Sequence, residues 1–390
     1  MSTPKRKIAI LTGTRAEFGL LFWLIKAVHD DEDLQLQLIV TGMHLSPEFG
    51  LTYQEIEKAG IPIEDTIEIL LSSDSEIGIS KSMGLGMISF SETYARLKPD
   101  ILVILGDRFE AFSAAAAAMI ARIPIAHIHG GEATEGLIDE PIRHSITKMA
   151  HLHFTATETY RHRVIQLGEQ PDRVFNTGTP GLDNIDKLDL LSKEEFEKSI
   201  NFKISYPTFL VTFHPVTLDN NSSENQFKAL LKAFDNYPEA KIIFTKPNAD
   251  TNGRVVIQLI DQFTKSNEKR AVSFTSLGQL RYLSALSHVD VVIGNSSSGL
   301  TEAPSFKVPT INIGDRQKGR IKADSVIDCN PDTESIINAI QVSLSKEFKE
   351  KLKAVKNPYG EGGALNKILK ILKTHSLDNI VKKSFYDLGL

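Results

Sequence analysis

The sequence contains almost no cysteine, since Cys329 is the only one among 390 residues. A single thiol excludes an internal disulfide framework and a cysteine-based metal site, and it is typical of proteins that stay in a reducing cytosol. No histidine–cysteine pairing surrounds Cys329, so we expect it to be an ordinary packing residue.

Long hydrophobic runs are also missing. No stretch reaches the roughly 18 apolar residues that a membrane-spanning helix needs. Near the N-terminus, basic residues precede the apolar residues 8–11, but residues 12–15 interrupt this run far short of the apolar core of a signal peptide. We therefore expect a cytoplasmic protein with no membrane attachment.

An excess of positive charge is absent as well. Lys and Arg number 44 against 49 Asp and Glu, and the formal net charge is -5. Such a chain has no basic field that attracts nucleic acid or an anionic membrane, so neither is expected as a partner. Any anionic ligand must be held by a few local positive groups.

Short apolar runs alternate with amphipathic segments along the whole chain, whose length suits two cores better than one. The strand-like runs are residues 7–11, 36–40, 101–105, 125–129, 153–156, 209–213, 241–245, 272–274, 289–293 and 310–313. The helical patterns include residues 18–29, 76–97, 109–121, 139–150, 225–234, 277–286 and 332–344. This alternation predicts the α/β class, with two doubly wound, Rossmann-like parallel sheets.

Two glycines and a proline interrupt the pattern at residues 178–181. This break predicts an N-terminal domain over residues 1–180 and a C-terminal domain over residues 181–365. The amphipathic tail, residues 366–390, is expected to return as a helix to the first domain. Ligands of open α/β sheets bind at the carboxyl ends of the strands, so we expect a cleft between the two domains.

Charged residues follow two strands of the first half. Arg15 comes after the first strand and a glycine-containing turn, where a helix N-terminus can hold an anion. Asp107 and Arg108 follow the apolar strand at residues 101–105, and charges at the mouth of a buried strand must find partners or ligands. A plain tight turn and a local ion pair are the structural alternatives.

A denser polar cluster follows the strand at residues 125–129. It includes His129, Glu132, Asp139 and Arg143, and several imidazoles and carboxylates in one place suit acid–base catalysis. A purely structural polar cluster is one alternative. A metal site is another, but no HExxH-type spacing is present, so no metal is expected.

The second half offers two further segments. His214 follows the strand at residues 209–213, although a single histidine in this position is often structural. Small residues at 294–299 can close on a diphosphate with their amides and hydroxyls, and Glu302 can accept hydrogen bonds from a ribose diol. A serine-rich helix cap is the alternative, and without a Walker lysine no ATP or GTP hydrolysis is expected.

Together these motifs resemble the UDP-N-acetylglucosamine 2-epimerase family, specifically its hydrolysing branch in sialic and legionaminic acid biosynthesis. Residues 106–108, 130–132, 138–144 and 294–299 with Glu302 carry the resemblance, which extends over nearly the whole chain. It implies the two-domain fold shared with GT-B glycosyltransferases and a UDP-sugar substrate. It also implies a bacterial, cytoplasmic homodimer or homotetramer that needs no metal or other cofactor.

The resemblance also assigns roles to individual residues. UDP contacts fall on Arg15, Asn248, Leu277, Ser296, Ser297, Glu302 and Arg316. Arg108 and His214 are placed near the diphosphate, His44, Asp107 and Asp139 around the sugar, and Arg143 among the substrate-binding residues. The catalytic candidates are Asp107, Glu132, Asp139, His214 and His129. Non-hydrolysing relatives often have Glu at the position of His129, so whether His129 or Glu132 is the main acid/base stays open.

The implied reaction converts a UDP-2-acetamido-hexose to UDP and the free 2-epimeric manno sugar. The C2 hydrogen is not acidic, so UDP must leave first, with cations and helix dipoles stabilising the diphosphate. Loss of the C2 proton then gives a 2-acetamidoglycal, to which water adds. The sugar is N-acetylglucosamine or N,N'-diacetylbacillosamine. The alternatives are a non-hydrolysing epimerase, a GT-B glycosyltransferase and a catalytically silent nucleotide-sugar sensor.

Overall fold

The computed structural model describes residues 5–71, 73, 75–135, 138–215, 222–247 and 253–389. The chain forms two compact units. The first unit consists of Met1–Glu132, Asp139–Asn184 and Gly362–Leu390, and the second of Ala133–Ile138 and Ile185–Glu361. No helix among the described residues has the length and apolar character that crossing a membrane requires.

The strands are β1 Arg6–Thr12, β2 Leu34–Thr41, β3 Asp65–Ile67, β4 Ile101–Leu105, β5 Ile125–Ile128, β6 Leu152–Thr155, β7 Val174–Asn176, β8 Thr208–Thr212, β9 Lys241–Thr245, β10 Ala271–Phe274, β11 Val291–Gly294, β12 Thr310–Ile313 and β13 Val326–Cys329. The helices are α1 Arg15–Asp30, α2 Tyr53–Lys58, α3 Glu76–Leu97, α4 Phe109–Ile120, α5 Asp139–Met149, α6 Glu158–Gln166, α7 Asp183–Lys187, α8 Lys193–Ile200, α9 Ser222–Ala233, α10 Gly253–Ser266, α11 Gly278–Leu286, α12 Ser298–Thr301, α13 Thr333–Leu344, α14 Lys346–Leu352 and α15 Ala364–Thr374.

The first unit contains a seven-stranded parallel sheet in the order β3-β2-β1-β4-β5-β6-β7. Its central strands are buried on both faces, which is why they appear in the sequence as continuous apolar runs. Along β1, Ile8 and Ile10 pack into the core with α1 and α15, whereas Ala9 and Leu11 pack into the core with α3 and α4. Helices therefore cover both faces of this sheet.

The tail of the chain packs within the first unit. Ile368 and Leu372 of α15 lie in the same core as Ile25 of α1. Asp183 accepts hydrogen bonds from the backbone amides of Gly363 and Leu365, at 2.5 and 2.8 Å. This carboxylate supplies partners for amide groups that the start of a helix leaves unsatisfied.

The second unit contains a six-stranded parallel sheet in the order β10-β9-β8-β11-β12-β13. One face of it packs on a core rich in phenylalanine, with Phe209, Phe227, Phe234 and Phe244 all fully buried. The segment Ala133–Ile138 also belongs to this unit.

The predicted fold class is confirmed: the two sheets are parallel, doubly wound and flanked by helices. All of the predicted strands and the helices predicted before the tail are present, with ends displaced by at most three residues. In the tail, expected to be helical over residues 366–390, the helix covers only Ala364–Thr374, and residues 375–389 are not helical. Three strands, β3, β7 and β13, were not predicted, and each is an edge strand of only three or four residues. Edge strands need less apolar sequence than central ones because they are less enclosed.

Candidate functional site

Each sheet has one point at which its strand order reverses, and ligands of such sheets bind outside the strands' carboxyl ends at that point. In the first unit the reversal lies between β1 and β4, and in the second between β8 and β11. Residues 13–15 and 106–108 directly follow the first pair of strands. Residues 213–215 and 295–299 directly follow the second pair. Four of the segments selected from the sequence therefore lie at the two reversal points, and the cluster that begins at His129 follows the next strand, β5.

The turn after β1 is closed by its own side chains. Thr14 caps α1, and one carboxylate oxygen of Glu17 accepts the amide hydrogens of Gly13 and Thr14, at 2.7 and 3.1 Å. These amides are therefore committed to Glu17. Arg15 is the first residue of α1 and pairs with Glu55 at 2.9 Å in a half-exposed position. Since such an exposed ion pair is weak, the guanidinium of Arg15 is the part of this turn best able to bind an anion.

His44 lies next to the end of β1 and is fully buried. Its Nε2 lies 3.0 Å from the hydroxyl of Thr12, and its Nδ1 lies 2.8 Å from the hydroxyl of Thr52. Burial lowers the pKa of His44 to about 4. These contacts favour a neutral imidazole that supports the loop, with its contact to the sugar still a prediction.

Arg143 of α5 connects the ends of β4 and β5. Its side chain is 1% exposed, and its guanidinium pairs with the carboxylate of Asp107. It also donates to a carboxylate oxygen of Glu140 at 2.7 Å and to the carbonyl of Glu132 at 3.2 Å. A buried guanidinium requires several such acceptors. Arg143 thus holds Asp107 in place against the start of α5.

His129 and Glu132, the two candidates for the main acid/base, contact each other. Nδ1 of His129 lies 3.4 Å from Oε1 of the buried Glu132, and Nε2 lies 2.9 Å from the hydroxyl of Thr179. The backbone of His129 is left-handed, with φ +69°, a conformation that costs energy for a residue with a side chain. The structure therefore joins the two candidates into one pair.

Asp139 is the first residue of α5, where the helix dipole favours a negative charge. It is half-buried. One turn further along the same helix, Nε2 of His144 lies 3.1 Å from Oε1 of Glu140. The first turns of α5 therefore bring together carboxylates, an imidazole and the guanidinium of Arg143.

Arg108 lies beside two carboxylates that the sequence reasoning did not select. Its Nε donates to Oε1 of Glu110 at 2.6 Å, and Glu110 is buried. Burial raises the pKa of Glu17 to about 7, the charge of Glu110 adds to this rise, and Arg108 opposes it. The spacing of Thr14 and Glu17, which matches a capping box, was the available signal for Glu17.

In the second unit, Asn295 links three loops through its side chain and its backbone carbonyl. Its amide oxygen accepts from the backbone N–H of His214 and its amide nitrogen donates to the carbonyl of His214, both at 2.7 Å. The backbone carbonyl of Asn295 accepts from Arg316 at 3.1 Å and from Gln317 at 2.8 Å. Sequence reasoning did not select Asn295, because nothing in the sequence brings residues 214 and 316 together.

The serine-rich segment after β11 forms the N-terminus of α12. Ser297 precedes the helix, and the hydroxyl of Ser298 contacts those of Ser296, at 3.1 Å, and Tyr282. Glu302 is half-buried, its pKa is raised by burial, and it accepts a hydrogen bond from Thr301.

Leu277 and Asn248 are the other two residues predicted to contact UDP. Leu277 immediately precedes α11 and is buried. Asn248 lies outside the described residues. Among the described residues, no three His, Cys, Asp or Glu side chains are grouped so that they could hold a metal ion.

Comparisons with known proteins identify the family. The sequence profile of the UDP-N-acetylglucosamine 2-epimerase family matches residues 26–373. The GDP/UDP-N,N'-diacetylbacillosamine 2-epimerase (hydrolyzing) of Campylobacter jejuni is 46% identical over 98% of this chain and 100% of that protein. The polysialic acid biosynthesis protein P7 of Escherichia coli is 40% identical over 98% of each chain.

A solved structure shares the fold. The crystal structure of UDP-GlcNAc 2-epimerase from Neisseria meningitidis bound to UDP-GlcNAc aligns with a TM-score of 0.81 and 22% sequence identity, over 94% of this chain and 99% of that one. At this identity the likeness concerns the fold, while the profile and the relatives concern the sequence along nearly its whole length. The chain therefore belongs to the UDP-N-acetylglucosamine 2-epimerase family.

Proposed function

We propose that this protein is a hydrolysing 2-epimerase, which converts a UDP-2-acetamido-hexose to UDP and the free 2-epimeric manno sugar. The observation that carries the proposal is the cluster of Asp107, Arg143, Glu132 and His129 at the ends of β4 and β5. A catalytically silent sensor would have no need for buried, mutually paired acids and bases at this position. The 46% identical relative from Campylobacter jejuni is named as hydrolyzing, which supports the same reaction type here.

The second unit is proposed to hold the nucleotide. The half-buried carboxylate of Glu302 suits the ribose diol, and its neighbours Ser296 and Ser297 supply hydroxyls and helix-terminal amides for the diphosphate. Arg316 adds positive charge, and His214 is fixed at its backbone by Asn295. The chain as a whole is acidic, so these local groups must supply the attraction for UDP.

The first unit is proposed to carry out the chemistry on the sugar. The C1–O bond breaks as UDP leaves, and the carboxylates of Asp107 and Asp139 stabilise the positive charge that develops at C1. The pair of His129 and Glu132 takes the proton from C2, which leaves a C1=C2 double bond. Water then adds its oxygen to C1 while a proton returns to C2 on the opposite face, giving the free manno sugar.

The contact between His129 and Glu132 supports their joint role in removing the C2 proton. Their facing atoms are 3.4 Å apart, so a proton taken by one residue can be shared with the other.

For the sugar we favour N,N'-diacetylbacillosamine, because a relative named for that substrate is 46% identical over 98% of this chain. Its product would enter legionaminic acid biosynthesis. N-acetylglucosamine is the second candidate, since it is the sugar in the description of the matching family. The nucleotide also needs testing, because the name of the same relative includes both GDP and UDP.

The decisive experiment is a mass-resolved product assay. The protein is incubated with UDP-N,N'-diacetylbacillosamine, its GDP-linked counterpart and UDP-N-acetylglucosamine, and the free nucleotide and free sugar are quantified. We expect free UDP and a free sugar inverted at C2, most rapidly from UDP-N,N'-diacetylbacillosamine. A sugar that stays attached to UDP would indicate a non-hydrolysing epimerase, and no turnover of any of the three would contradict the proposal.

The expected homodimer or homotetramer and a cytoplasmic location are part of this proposal. The single cysteine supports the location. Exposed apolar side chains support the oligomer: Ile77 and Ile88 of α3 are 67% and 62% exposed, and Met119 and Ile120 of α4 are 46% and 73% exposed. Light scattering should show a dimer or tetramer, and Ile88→Glu should reduce its size because a buried charge opposes association. A monomeric wild-type protein would contradict this part.

A further inference from the structure

A guanidinium and two carboxylates meet at the reversal point of the first unit. Nε of Arg108 donates to Oε1 of Glu110 at 2.6 Å. Glu17 is close enough to both for their charges to change its pKa. Glu110 belongs to the first turn of α4, directly after the loop that carries Asp107 and Arg108. The group therefore lies where a ligand of this sheet is expected.

The backbone around Glu110 is shaped to admit its side chain. A Cβ atom placed on Gly13 would lie 2.7 Å from Oε1 of Glu110, which is too close for any real side chain. Gly42 has φ +60°, and a Cβ atom there would lie 3.0 Å from the carbonyl of Gly13. Gly13 thus leaves the space that the carboxylate occupies, and Gly42 allows the loop after β2 to approach Gly13 closely.

The burial of Glu110 needs a compensating interaction. Its side chain is 1% exposed, and its second oxygen, Oε2, is buried with no hydrogen-bond partner among the described residues. A buried carboxylate is costly unless it is paired. The rest of α4 is rich in alanine and packs into an apolar core. An apolar side chain at position 110 would satisfy the packing of this helix. The carboxylate is needed only for the hydrogen bond to Arg108.

We propose that Glu110 is a positioning residue that fixes the guanidinium of Arg108 so that it meets the diphosphate of the substrate in one orientation. A guanidinium is planar, so a carboxylate that holds Nε also sets the direction of the other N–H groups. The inference rests on the proposed function in one respect, since the ligand of Arg108 is taken to be UDP.

A double-mutant cycle on UDP affinity tests this role. Calorimetric titration with UDP is performed on the full-length wild-type protein, Arg108→Ala, Glu110→Leu and the double variant. Loss of a charge-assisted hydrogen bond predicts UDP binding weaker by about 10- to 100-fold in Arg108→Ala and by about tenfold in Glu110→Leu. Because Glu110 acts through Arg108, the double variant should bind UDP no more weakly than Arg108→Ala alone. Losses that multiply in the double variant would overturn the inference.

Conservative variants separate positioning from folding. Glu110→Gln keeps an oxygen that accepts from Nε of Arg108, so its UDP affinity should stay within about threefold of the wild type. Arg108→Lys keeps the charge but lacks the planar donor, so it should bind UDP about tenfold more weakly whether residue 110 is Glu or Gln. If Glu110→Leu does not fold, this pair decides: a Lys variant with wild-type affinity would overturn the inference.

The matched control is Glu169→Leu. Glu169 is an equally buried carboxylate of the first unit, but it contacts His153 and Lys148 near the amino-terminal end of β6. This variant should be less stable and bind UDP as the wild type does. Wild-type protein that binds UDP without turning over any sugar would defeat the proposed function and leave this inference standing. Normal turnover by the wild type, together with unchanged UDP affinity in Glu110→Leu, would support the proposed function and overturn this inference.

Discussion

At the scale of single residues, buried charges determine how the candidate site is held. Arg143 has three acceptors that come from two loops and its own helix, and it is almost completely buried. Each acceptor is needed to offset the desolvation of the guanidinium. The consequence is that Asp107 sits in a fixed position before any ligand arrives, and preorganised charge of this kind is what stabilises a developing cation.

Asp107→Asn is predicted to abolish most turnover and to leave UDP binding intact. The amide has the shape of the carboxylate but not its charge, so transition-state stabilisation is lost, at a cost of about 10²–10⁴-fold in kcat. Steady-state kinetics and UDP calorimetry measure the two effects. Asp100→Asn is the control, because Asp100 lies exposed just before the other end of the same strand. Near-normal kcat in Asp107→Asn would mean that the cluster is structural.

Sequence reasoning identified the positions of these residues better than their partners. Asp107 and His129 were selected because charged residues follow buried strands, and Arg143 because the polar cluster continues into the next helix. The pairing of Asp107 with Arg143 joins residues 36 apart, and that of His129 with Thr179 joins residues 50 apart. Such pairings depend on the tertiary fold, which no local pattern specifies. For the same reason the partner of His214, Asn295, was not foreseen, since the two residues are 81 apart in the sequence.

At the scale of elements, the start of α12 is the strongest candidate for nucleotide binding. Glu302→Gln is predicted to weaken UDP binding by about 1–3 kcal/mol, because a neutral amide replaces a charge-assisted acceptor of the ribose diol. Ser297→Ala and Arg316→Ala should cost similar amounts. Calorimetric titration with UDP measures each variant. Lys307→Ala serves as the control. Lys307 follows the helical turn Ala303–Phe306, and its ammonium group donates a hydrogen bond to the carbonyl of Val355. Unchanged affinity in all three variants would refute this pocket.

The amphipathic pattern of the C-terminal tail predicts that it packs on the first domain, but not which residues anchor it. Lys383 lies 2.6 Å from the buried carboxylate of Glu169, which also contacts His153 and Lys148. Burial opposes the charge of Glu169, but the hydrogen bonds from these partners lower its pKa to about 2. Beyond Lys383, the amide of Tyr386 donates to the carbonyl of Gly168 at 2.9 Å.

Lys383→Met is therefore predicted to lower the free energy of unfolding by about 1–3 kcal/mol, since it removes one partner of a buried carboxylate. Thermal denaturation followed by circular dichroism measures the loss. Lys382→Met is the matched control, because the side chain of Lys382 is exposed and should tolerate the change. Equal stability of the two variants would show that the tail contributes nothing through this ion pair.

The elements themselves were largely predictable from the sequence. Central strands such as β4 are apolar throughout because both faces are buried, and this makes them easy to locate. The β3 strand has only three residues and includes Asp65 and Thr66, so it carries no such pattern. The boundaries of α1 were misplaced by up to three residues because its first turn, which includes Arg15 and Glu17, is polar.

At the scale of the whole molecule, buried histidines make the first unit sensitive to acid. Burial lowers the pKa of His44 and His151 to about 4 and that of His127 to about 3. In the unfolded chain these histidines take up protons as the pH falls below their ordinary pKa of 6.5. In the folded chain they stay neutral until the pH is far lower. Folding stability is therefore complete above pH 6.5 and falls as the pH is lowered towards 4. The pKa of Glu17 is raised, so its protonation makes the folded state more stable as the pH falls. This gain offsets the loss of stability from about one histidine.

We predict that the free energy of unfolding of the first unit falls by at least about 1.4 kcal/mol per pH unit between pH 6.5 and 5. Urea titrations followed by the fluorescence of Trp23, the only tryptophan of the chain, report on this unit. His151→Asn should reduce the slope. The exposed His162 provides the control, since His162→Asn should leave it unchanged. A stability independent of pH over this interval would contradict the prediction.

The reaction as a whole offers a test that no single variant can provide. If the C2 proton leaves and is replaced after inversion, the new hydrogen comes from solvent, either directly or through the pair of His129 and Glu132. The reaction run in D₂O should therefore place one deuterium at C2 of the free manno sugar. If the C1–O bond breaks when UDP departs, water labelled with heavy oxygen should mark the sugar and leave UDP unlabelled.

Each competing reaction predicts a different product under these conditions. Direct hydrolysis by a glycosidase-like route labels the sugar oxygen but leaves C2 protiated and uninverted. A non-hydrolysing epimerase incorporates deuterium at C2 while the sugar stays attached to UDP, and a glycosyltransferase leaves C2 unchanged. Only the hydrolysing epimerase combines free UDP, an inverted C2 and deuterium at C2, because its double-bonded intermediate loses the original hydrogen. Nuclear magnetic resonance of the product detects all three, and a protiated C2 in the free manno sugar would rule out this pathway.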